Sequence, residues 1–94
     1  MFILNRVFNV EVFMEEINIK EKEENLTVEQ KFGMTIRYYR QIAGISQEEL
    51  SFRSGLHRNY VSDTERGRRN VSLKAIERFA KGLNISITDL FSIM

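Results

Sequence analysis

Apolar residues recur at helical spacing along the second two-thirds of the chain, and capping residues and glycines divide them into segments. The first predicted helix opens at Thr27, which forms a capping-box pattern with Gln30, and it ends at Gly44. Its apolar positions are Phe32, Ile36, Tyr39 and Ala43. Tyr38 is adjacent to Tyr39, so we expect at most one of the two tyrosines to face the core.

Two short helices joined by a tight turn are predicted next. Ser46 and Glu49 form a second capping-box pattern, which opens a helix that passes through Leu50 and Phe52 and ends near Gly55. Because Gly55 allows a positive φ, we expect a sharp turn there, with Leu56 as its buried apolar residue. A third helix is predicted from about His57 to Arg66, before Gly67, with these residues on its inner side: Tyr60, Val61 and Thr64. This is the helix-turn-helix arrangement, in which the second helix of the pair projects.

The last two predicted helices complete an all-α domain. Ser72 caps the fourth helix, which we expect Gly82 to close, and Ser86 with Asp89 caps the fifth. Their apolar positions are Leu73, Ile76, Phe79 and Ala80 in the fourth helix and Ile87, Leu90, Phe91 and Ile93 in the fifth. The spacing also predicts that Phe52 and Phe79 lie in the core. Because each helix is too short to persist alone, all five must share that core.

The N-terminal segment has a different character. Residues 1–13 alternate in part between apolar and polar positions, which favours a short strand. Residues 14–25 are highly charged, which is typical of a solvated linker or a frayed helix. We therefore divide the chain into an extension or linker (1–26) and a helical domain (27–94). Met14 and Met34 are alternative candidates for the native start.

Composition narrows the classes of function. The chain has 94 residues and no cysteine, so disulfides and thiolate metal sites are excluded. No apolar run approaches the ~18 residues of a membrane span, and no signal-peptide pattern is present, so we expect a cytoplasmic protein. His57 is the one histidine and has no partner at ligand spacing, so we expect no metal and no cofactor. The sequence shows no nucleophile with a base, no carboxylate pair and no set of metal ligands, so we expect that the protein is not an enzyme.

Charge is distributed unevenly along the chain. Residues 1–31 hold four basic and seven acidic side chains, a net charge of −3, whereas residues 32–94 hold ten basic and six acidic ones, a net charge of +4. A basic domain behind an acidic leader is compatible with a nucleic-acid partner. By itself this asymmetry is a weak signal, since many proteins of that charge do not bind DNA.

The third predicted helix carries an unusual set of exposed side chains. Its N-terminal turns present short or fork-shaped hydrogen-bonding groups: His57, Arg58, Asn59, Ser62 and Asp63. Base edges in the major groove are read by such groups, with arginine bonding to guanine and asparagine to adenine. The competing interpretation is an ordinary solvated face, which more often carries Glu, Lys and Ala.

The segment Gly33–Phe91 resembles the phage-repressor or Xre/Cro-like helix-turn-helix family. Within that family it is most similar to the controller proteins of bacterial restriction-modification systems. The motifs that carry the resemblance are IRYYR at 36–40, SQEEL at 46–50, SGLHRNYVS at 54–62 and ERGRRNVSL at 65–73. Their order and spacing support the resemblance, and the resemblance implies a compact five-helix phage-repressor-like DNA-binding and dimerisation domain over 27–94.

The resemblance also implies roles for individual residues. Base readers would be Arg58, Asn59, Ser62 and His57, with Arg58 bonding to guanine. Contacts to the DNA backbone would come from Gln47, Tyr60, Arg69, Asn70 and Arg37, and Arg40 would add electrostatic attraction. The dimer interface would be formed by Ile87, Phe91 and Ile93. Glu65 is expected to form a structural cluster with Arg66 and Arg68, and Thr64 departs from the isoleucine usual in the family, which predicts looser packing there.

We therefore expect a transcriptional regulator that binds a double-stranded DNA operator as a homodimer and both activates and represses. RNA polymerase is a further candidate partner, through Glu48 or Glu49. Alternatives that use the same domain are a phage-type repressor and an antitoxin whose residues 1–25 bind a toxin. A protein-interaction module that does not bind DNA is an alternative of a different class.

Overall fold

The computed structural model describes residues 25–94, and this part of the chain is helical, as predicted. The helices are α1 (Val28–Ala43), α2 (Gln47–Ser54), α3 (Arg58–Glu65), α4 (Leu73–Leu83) and α5 (Ile87–Ser92). The predicted strand in residues 1–13 lies outside the described residues. None of the helices in residues 25–94 has the length and apolar character needed to cross a membrane.

The predicted helix starts are confirmed. At α1 the Thr27 hydroxyl accepts from the Gln30 amide at 3.0 Å, and the Gln30 side chain accepts from the Thr27 amide at 2.9 Å, which completes the capping box. Ser46, Ser72 and Ser86 each accept one amide hydrogen bond at the start of α2, α4 and α5. Each cap satisfies a donor that has no partner within its helix.

At α2 the predicted capping box is only half formed. Ser46 accepts from the Glu49 amide at 2.9 Å, but the Glu49 carboxylate bonds to Arg53 one turn later, at 2.8 Å. An arginine four residues on offers the carboxylate a charged donor on the same helix face, and this pair replaces the return bond to the cap.

The core lies where the helices meet. Helix α1 packs mainly against α3, α2 packs against α4 and α3, and α5 closes the domain against α4 and α1. Phe79 is fully buried and meets Phe32 edge to face, with ring centroids 6.0 Å apart. The other fully buried side chains come from the remaining helices: Ile36, Leu50, Val61, Thr64 and Leu90.

Four expectations about burial were wrong. Phe52 is 83% exposed and Leu73 is 82% exposed, and Ala43 is also exposed, although spacing placed all three on apolar faces. Tyr38 and Tyr39 are both buried, contrary to the expectation that one would face solvent. Helix α1 is covered by α3, α4 and α5, so its buried face is wider than a single stripe.

The predicted end of α4 at Gly82 was also wrong. The helix continues to Leu83, and Asn84 takes the left-handed conformation with φ 59° and ψ 43°. A Cβ on Gly82 would lie 3.0 Å from both Leu50 Cδ1 and Ser54 Cβ. Gly82 therefore allows close approach of α2 to α4, and Asn84, which tolerates a positive φ, supplies the cap.

Candidate nucleic-acid interface

The turn between α2 and α3 is held by its own hydrogen bonds. Gly55 has φ 76°, as the sequence predicted, and its amide donates to the Ser51 carbonyl. The Ser51 hydroxyl donates to the Leu56 carbonyl at 2.5 Å, and the Leu56 amide donates to Ser54 Oγ at 3.1 Å. The two helices of the helix-turn-helix pair are therefore fixed relative to each other, with Leu56 packed against the core.

Helix α3 presents one polar face outward. Val61 and Thr64 on its inner face are buried, whereas Arg58 and Asn59 are exposed and Ser62 is half-buried. Arg58 and Asn59 lie four and three residues before Ser62, and positions at these spacings are neighbours on a helix surface, so both border Ser62. The structure thus brings together the base readers that the sequence predicted, and their roles stay predictions.

His57 has a structural role that the sequence did not indicate. It is the N-cap of α3, and its Nδ1 accepts a hydrogen bond from the Asn59 amide at 3.0 Å. Histidine is not among the preferred cap residues, which is why residue-type rules missed it. Since Nδ1 is the acceptor, the opposite ring nitrogen, Nε2, is the one that points away from the helix start.

Tyr60 connects α3 to the loop before α4. The Arg69 guanidinium lies 4.3 Å from the centroid of the Tyr60 ring, and the Tyr60 hydroxyl accepts from the Ser72 amide at 3.4 Å. Arg69 Nη2 is also 3.6 Å from Asp63 Oδ2. The predicted backbone contacts Tyr60 and Arg69 are therefore neighbours, and Asn70 beside them is exposed.

Glu65 is the centre of a buried polar cluster at the end of α3. Its carboxylate accepts from Arg40 Nε at 2.6 Å, from Arg40 Nη2 at 3.0 Å and from Gln47 Nε2 at 3.0 Å. Arg40 Nη1 donates in addition to the Ile45 carbonyl at 2.9 Å. The cluster joins α1, α2 and α3 through side chains that are distant in sequence.

Two expectations change because of this cluster. Glu65 pairs with Arg40 and Gln47, not with Arg66 and Arg68 as the sequence suggested. Arg40 is consequently a structural residue, not a free source of electrostatic attraction. Gln47 keeps a second amide N–H beside the one that Glu65 accepts, so its predicted phosphate contact stays compatible with the structure.

Thr64 packs tightly in spite of the expected loosening. It is 1% exposed, and its hydroxyl donates to the Tyr60 carbonyl at 2.7 Å. The Thr64 carbonyl, in turn, lies against Gly33 of α1, where a Cβ would clash with it. The backbone of α3 is therefore in close contact with α1 at this point.

The remaining predicted residues are more widely spread. Arg37 is exposed on α1, and among residues 25–94 no polar contact joins it to the α3 face. Of the predicted dimer residues, Ile87 is 45% and Phe91 42% exposed, whereas Ile93 is half-buried against the core. Phe91 also borders a cleft of about 110 Å³, which Val28, Phe32 and Ile76 help to line.

The described part of the chain offers no metal centre. Within residues 25–94, no three His, Asp or Glu side chains are grouped so that they could hold an ion. Every buried side-chain nitrogen or oxygen in this range has a hydrogen-bond partner. The charged clusters at Glu65 and Asp63 are thus accounted for by contacts within the protein.

A family model described as helix-turn-helix matches residues 36–90. Curated relatives include control protein C.BamHI of Bacillus amyloliquefaciens, which is 48% identical over 63% of this chain and 74% of its own length. Control protein C.SmaI of Serratia marcescens is 39% identical over 71% of this chain and 80% of its own. The crystal structure of the restriction-modification controller protein C.AhdI from Aeromonas hydrophila superposes with a TM-score of 0.65. It is 49% identical, and the match covers 67% of this chain and 96% of that protein.

Proposed function

Since the chain belongs to the helix-turn-helix family, in its group of restriction-modification controller proteins, we propose that it regulates transcription by binding DNA operators as a homodimer. The operators would lie upstream of its own gene and of a gene for a restriction endonuclease. Occupancy of one operator would activate transcription, and occupancy of further sites at higher protein concentration would repress it.

The outward face of α3 is the observation that carries this proposal. Arg58 and Asn59 stand exposed at the first turn of a helix whose opposite face is fully buried. An α-helix fits the major groove, and its N-terminal residues reach the base edges there. Arg58 would bond to guanine, Asn59 to adenine, and Ser62 and His57 to neighbouring positions.

Contacts to the DNA backbone would supply most of the affinity. Gln47 lies at the first position of α2. The backbone amides of this helix start would bind a phosphate, together with the Gln47 amide hydrogen that Glu65 does not accept. Further contacts would come from Tyr60 on α3 and from Arg69 and Asn70 in the loop after it, where Arg69 lies over the Tyr60 ring. Arg37 would add a positive charge from α1. Because each neutralised phosphate releases counterions, binding would weaken steeply as salt concentration rises.

A homodimer would present two α3 helices to successive major grooves, about 34–36 Å apart. Ile87 and Phe91 are large apolar side chains left partly exposed on α5. Pairing of two such faces would remove apolar surface from water, which favours association. Ile93 is half-buried against the core, so it would contribute less surface to this interface and would hold α5 in place.

Activation would require a protein contact, and the outer face of α2 offers the groups for it. Glu48 and Phe52 are one helical turn apart, and both are exposed. Glu49 lies next to Glu48 and is paired with Arg53. This acidic and apolar surface would repel phosphates, so we assign it to RNA polymerase bound beside the operator and not to DNA.

A gel-shift titration tests the proposal. Purified protein would be titrated against a duplex from upstream of its own gene and against a scrambled duplex of equal length, over a range of salt concentrations. We expect specific binding some 10³-fold or more tighter than binding to the scrambled duplex, with an affinity that falls linearly on a log–log plot against salt. Indifference to every duplex from its genomic neighbourhood would contradict it.

A further inference from the structure

We propose that His57 presents a fixed hydrogen-bond donor to DNA, because the cap at the start of α3 holds its ring in the tautomer with the proton on Nε2. The side chain can then bond only to an acceptor atom of the duplex. This inference rests on the proposed DNA-binding function, which names His57 as a contact but leaves the chemistry of that contact open. The partner it assigns is a phosphate oxygen or an acceptor atom on a base edge.

The Asn59 amide determines where the ring proton lies. It donates a hydrogen bond to Nδ1 of His57, with a distance of 3.0 Å between the two nitrogens. A ring nitrogen that accepts a hydrogen bond carries no proton, and a neutral imidazole has only one N–H group, so the proton is on Nε2. The same hydrogen bond orients the ring, because Nδ1 has to face the amide.

The Nε2–H group is left for a partner outside the domain. Within residues 25–94, the hydrogen bond at Nδ1 is the one that the His57 side chain makes. His57 is exposed, and so are Arg58 and Asn59, which follow it at the first turn of α3. In the proposed complex this end of the helix enters the major groove, so the Nε2–H group would meet DNA there.

The caps of the other described helices show what is particular about His57. Helices α1, α2, α4 and α5 begin with Thr27, Ser46, Ser72 and Ser86, whose short hydroxyls lie close to the backbone. Histidine is not among the preferred cap residues, so capping alone does not account for its presence here. Compared with serine, the imidazole adds a second polar atom on the far side of a rigid ring, and this atom is the one that DNA would contact.

A fixed donor restricts the atoms that His57 could contact. In the major groove the acceptors are guanine N7 and O6, adenine N7 and thymine O4, whereas cytosine N4 and adenine N6 are donors. Phosphate oxygens are acceptors along both strands, whatever the sequence. A histidine that could exchange its tautomers would bond to either class of group, but the cap limits His57 to acceptors.

Three substitutions separate the cap from the donor. His57→Ser keeps a preferred cap residue but has no group at the position of Nε2. His57→Gln gives up the preferred cap and keeps an amide donor of similar reach, and His57→Ala removes both functions. Thermal unfolding should therefore place His57→Ser close to the wild type, with the other two variants less stable. Affinities for a duplex from upstream of the protein's own gene and for a scrambled duplex would be measured at one salt concentration, at a temperature where all four proteins are folded.

We expect His57→Ser to bind the operator about two- to tenfold more weakly than the wild type, which is the range for one hydrogen bond. His57→Gln should bind more tightly than His57→Ala, because these two variants differ in the donor while both lack the preferred cap. The scrambled duplex identifies the acceptor. A loss confined to the operator indicates a base atom, whereas an equal loss on both duplexes indicates a phosphate oxygen.

The tautomer is measured separately, on the wild-type protein without DNA. His57 is the one histidine among the 94 residues, so nitrogen-15 NMR of the imidazole reports on this side chain alone. At a pH at which the ring is neutral, we expect the signal of a protonated nitrogen from Nε2 and that of an unprotonated nitrogen from Nδ1. In His57→Ser no imidazole signal remains, which confirms the assignment.

Two results would overturn the inference while leaving the proposed function intact. One is wild-type affinity of His57→Ser on both duplexes, which would make His57 a cap and nothing more. The other is a ring proton that lies on Nδ1 or is shared between the two nitrogens. If the wild-type protein distinguishes no duplex from any other, the proposed function itself fails, and the NMR spectrum still decides whether the cap fixes the tautomer.

Discussion

The Arg40 guanidinium and the Glu65 carboxylate form a two-point ion pair, with Nε–Oε2 and Nη2–Oε1 distances of 2.6 and 3.0 Å. The two residues are 25 positions apart, and their side chains are only 14% and 4% exposed. Glu65 ends α3, Arg40 lies in the last turn of α1, and Gln47 begins α2 beside them. The pair therefore fixes the end of α3 to the rest of the domain.

Removal of Glu65 should destabilise the protein strongly. In Glu65→Ala the buried Arg40 guanidinium loses its counter-ion, and breaking a buried pair in this way costs about 3–5 kcal/mol. Glu49→Ala is the control, because it breaks an exposed ion pair worth about 0–1 kcal/mol. Urea unfolding measures both free energies, and equal losses would contradict the structural role of Glu65.

Gly33→Ala should also destabilise the domain, for a reason of packing. A Cβ at this position would clash with the Thr64 carbonyl, which belongs to the backbone of α3 and cannot rotate away. Forced separation of well-packed elements costs about 1–3 kcal/mol. Gly44→Ala separates this effect from backbone strain, since Gly44 has φ 71° but no atom near its added Cβ.

The discriminating measurement for these glycines is operator affinity at a temperature where both variants are folded. Gly33→Ala should weaken operator binding because it displaces α3, whereas Gly44→Ala should leave operator binding unchanged. Operator affinity of Gly33→Ala equal to that of the wild type would show that α3 does not depend on this contact.

The sequence predicted the helix starts well, because caps are local. Thr27, Ser72 and Ser86 each accept from an amide three residues on, so the residue types alone identify them. Gly55 was predictable for the same reason. The exposure of Arg58 and Asn59 was predictable because the apolar residues of α3 mark its inner face clearly.

The exposure of Phe52 could not be predicted in this way. Helix α2 has eight residues, so Phe52 shares a spacing with only one or two apolar positions, and the pattern does not distinguish inside from outside. The partners of Glu65 were missed for a different reason. Arg40 and Gln47 are brought to it by tertiary packing, whereas Arg66 and Arg68 are near only in sequence.

Phe52→Ala should leave stability unchanged and reduce activation. Its side chain makes little contact with the core, so the free energy of unfolding should change by less than about 0.5 kcal/mol. Leu50→Ala, two residues away and fully buried, should cost about 2–5 kcal/mol. Operator affinity of Phe52→Ala should match the wild type, while in vitro transcription with RNA polymerase should fall. Unchanged transcription would remove α2 from the polymerase contact.

Ile87→Glu should shift the protein from dimer to monomer. The substitution places a charge on the partly exposed apolar face of α5 without touching the buried core. Phe91 is less suitable, because its ring also packs against the Phe32 ring, with centroids 5.9 Å apart, and its replacement would affect folding as well as association. Leu73→Glu is the control, since Leu73 is exposed on a different helix. Sedimentation equilibrium measures the outcome, and a dimer unaffected by Ile87→Glu would place the interface elsewhere.

Under the proposed function, α3 reads bases while the loop after it holds the DNA backbone, and comparing one variant from each element tests this claim most directly. Affinities of wild type, Arg58→Ala and Arg69→Ala would be measured on an operator and on a scrambled duplex at fixed salt. Arg58→Ala should lose about 1–3 kcal/mol on the operator and little on scrambled DNA, whereas Arg69→Ala should weaken both duplexes to a similar extent. Equal losses on both duplexes for Arg58→Ala would contradict the claim.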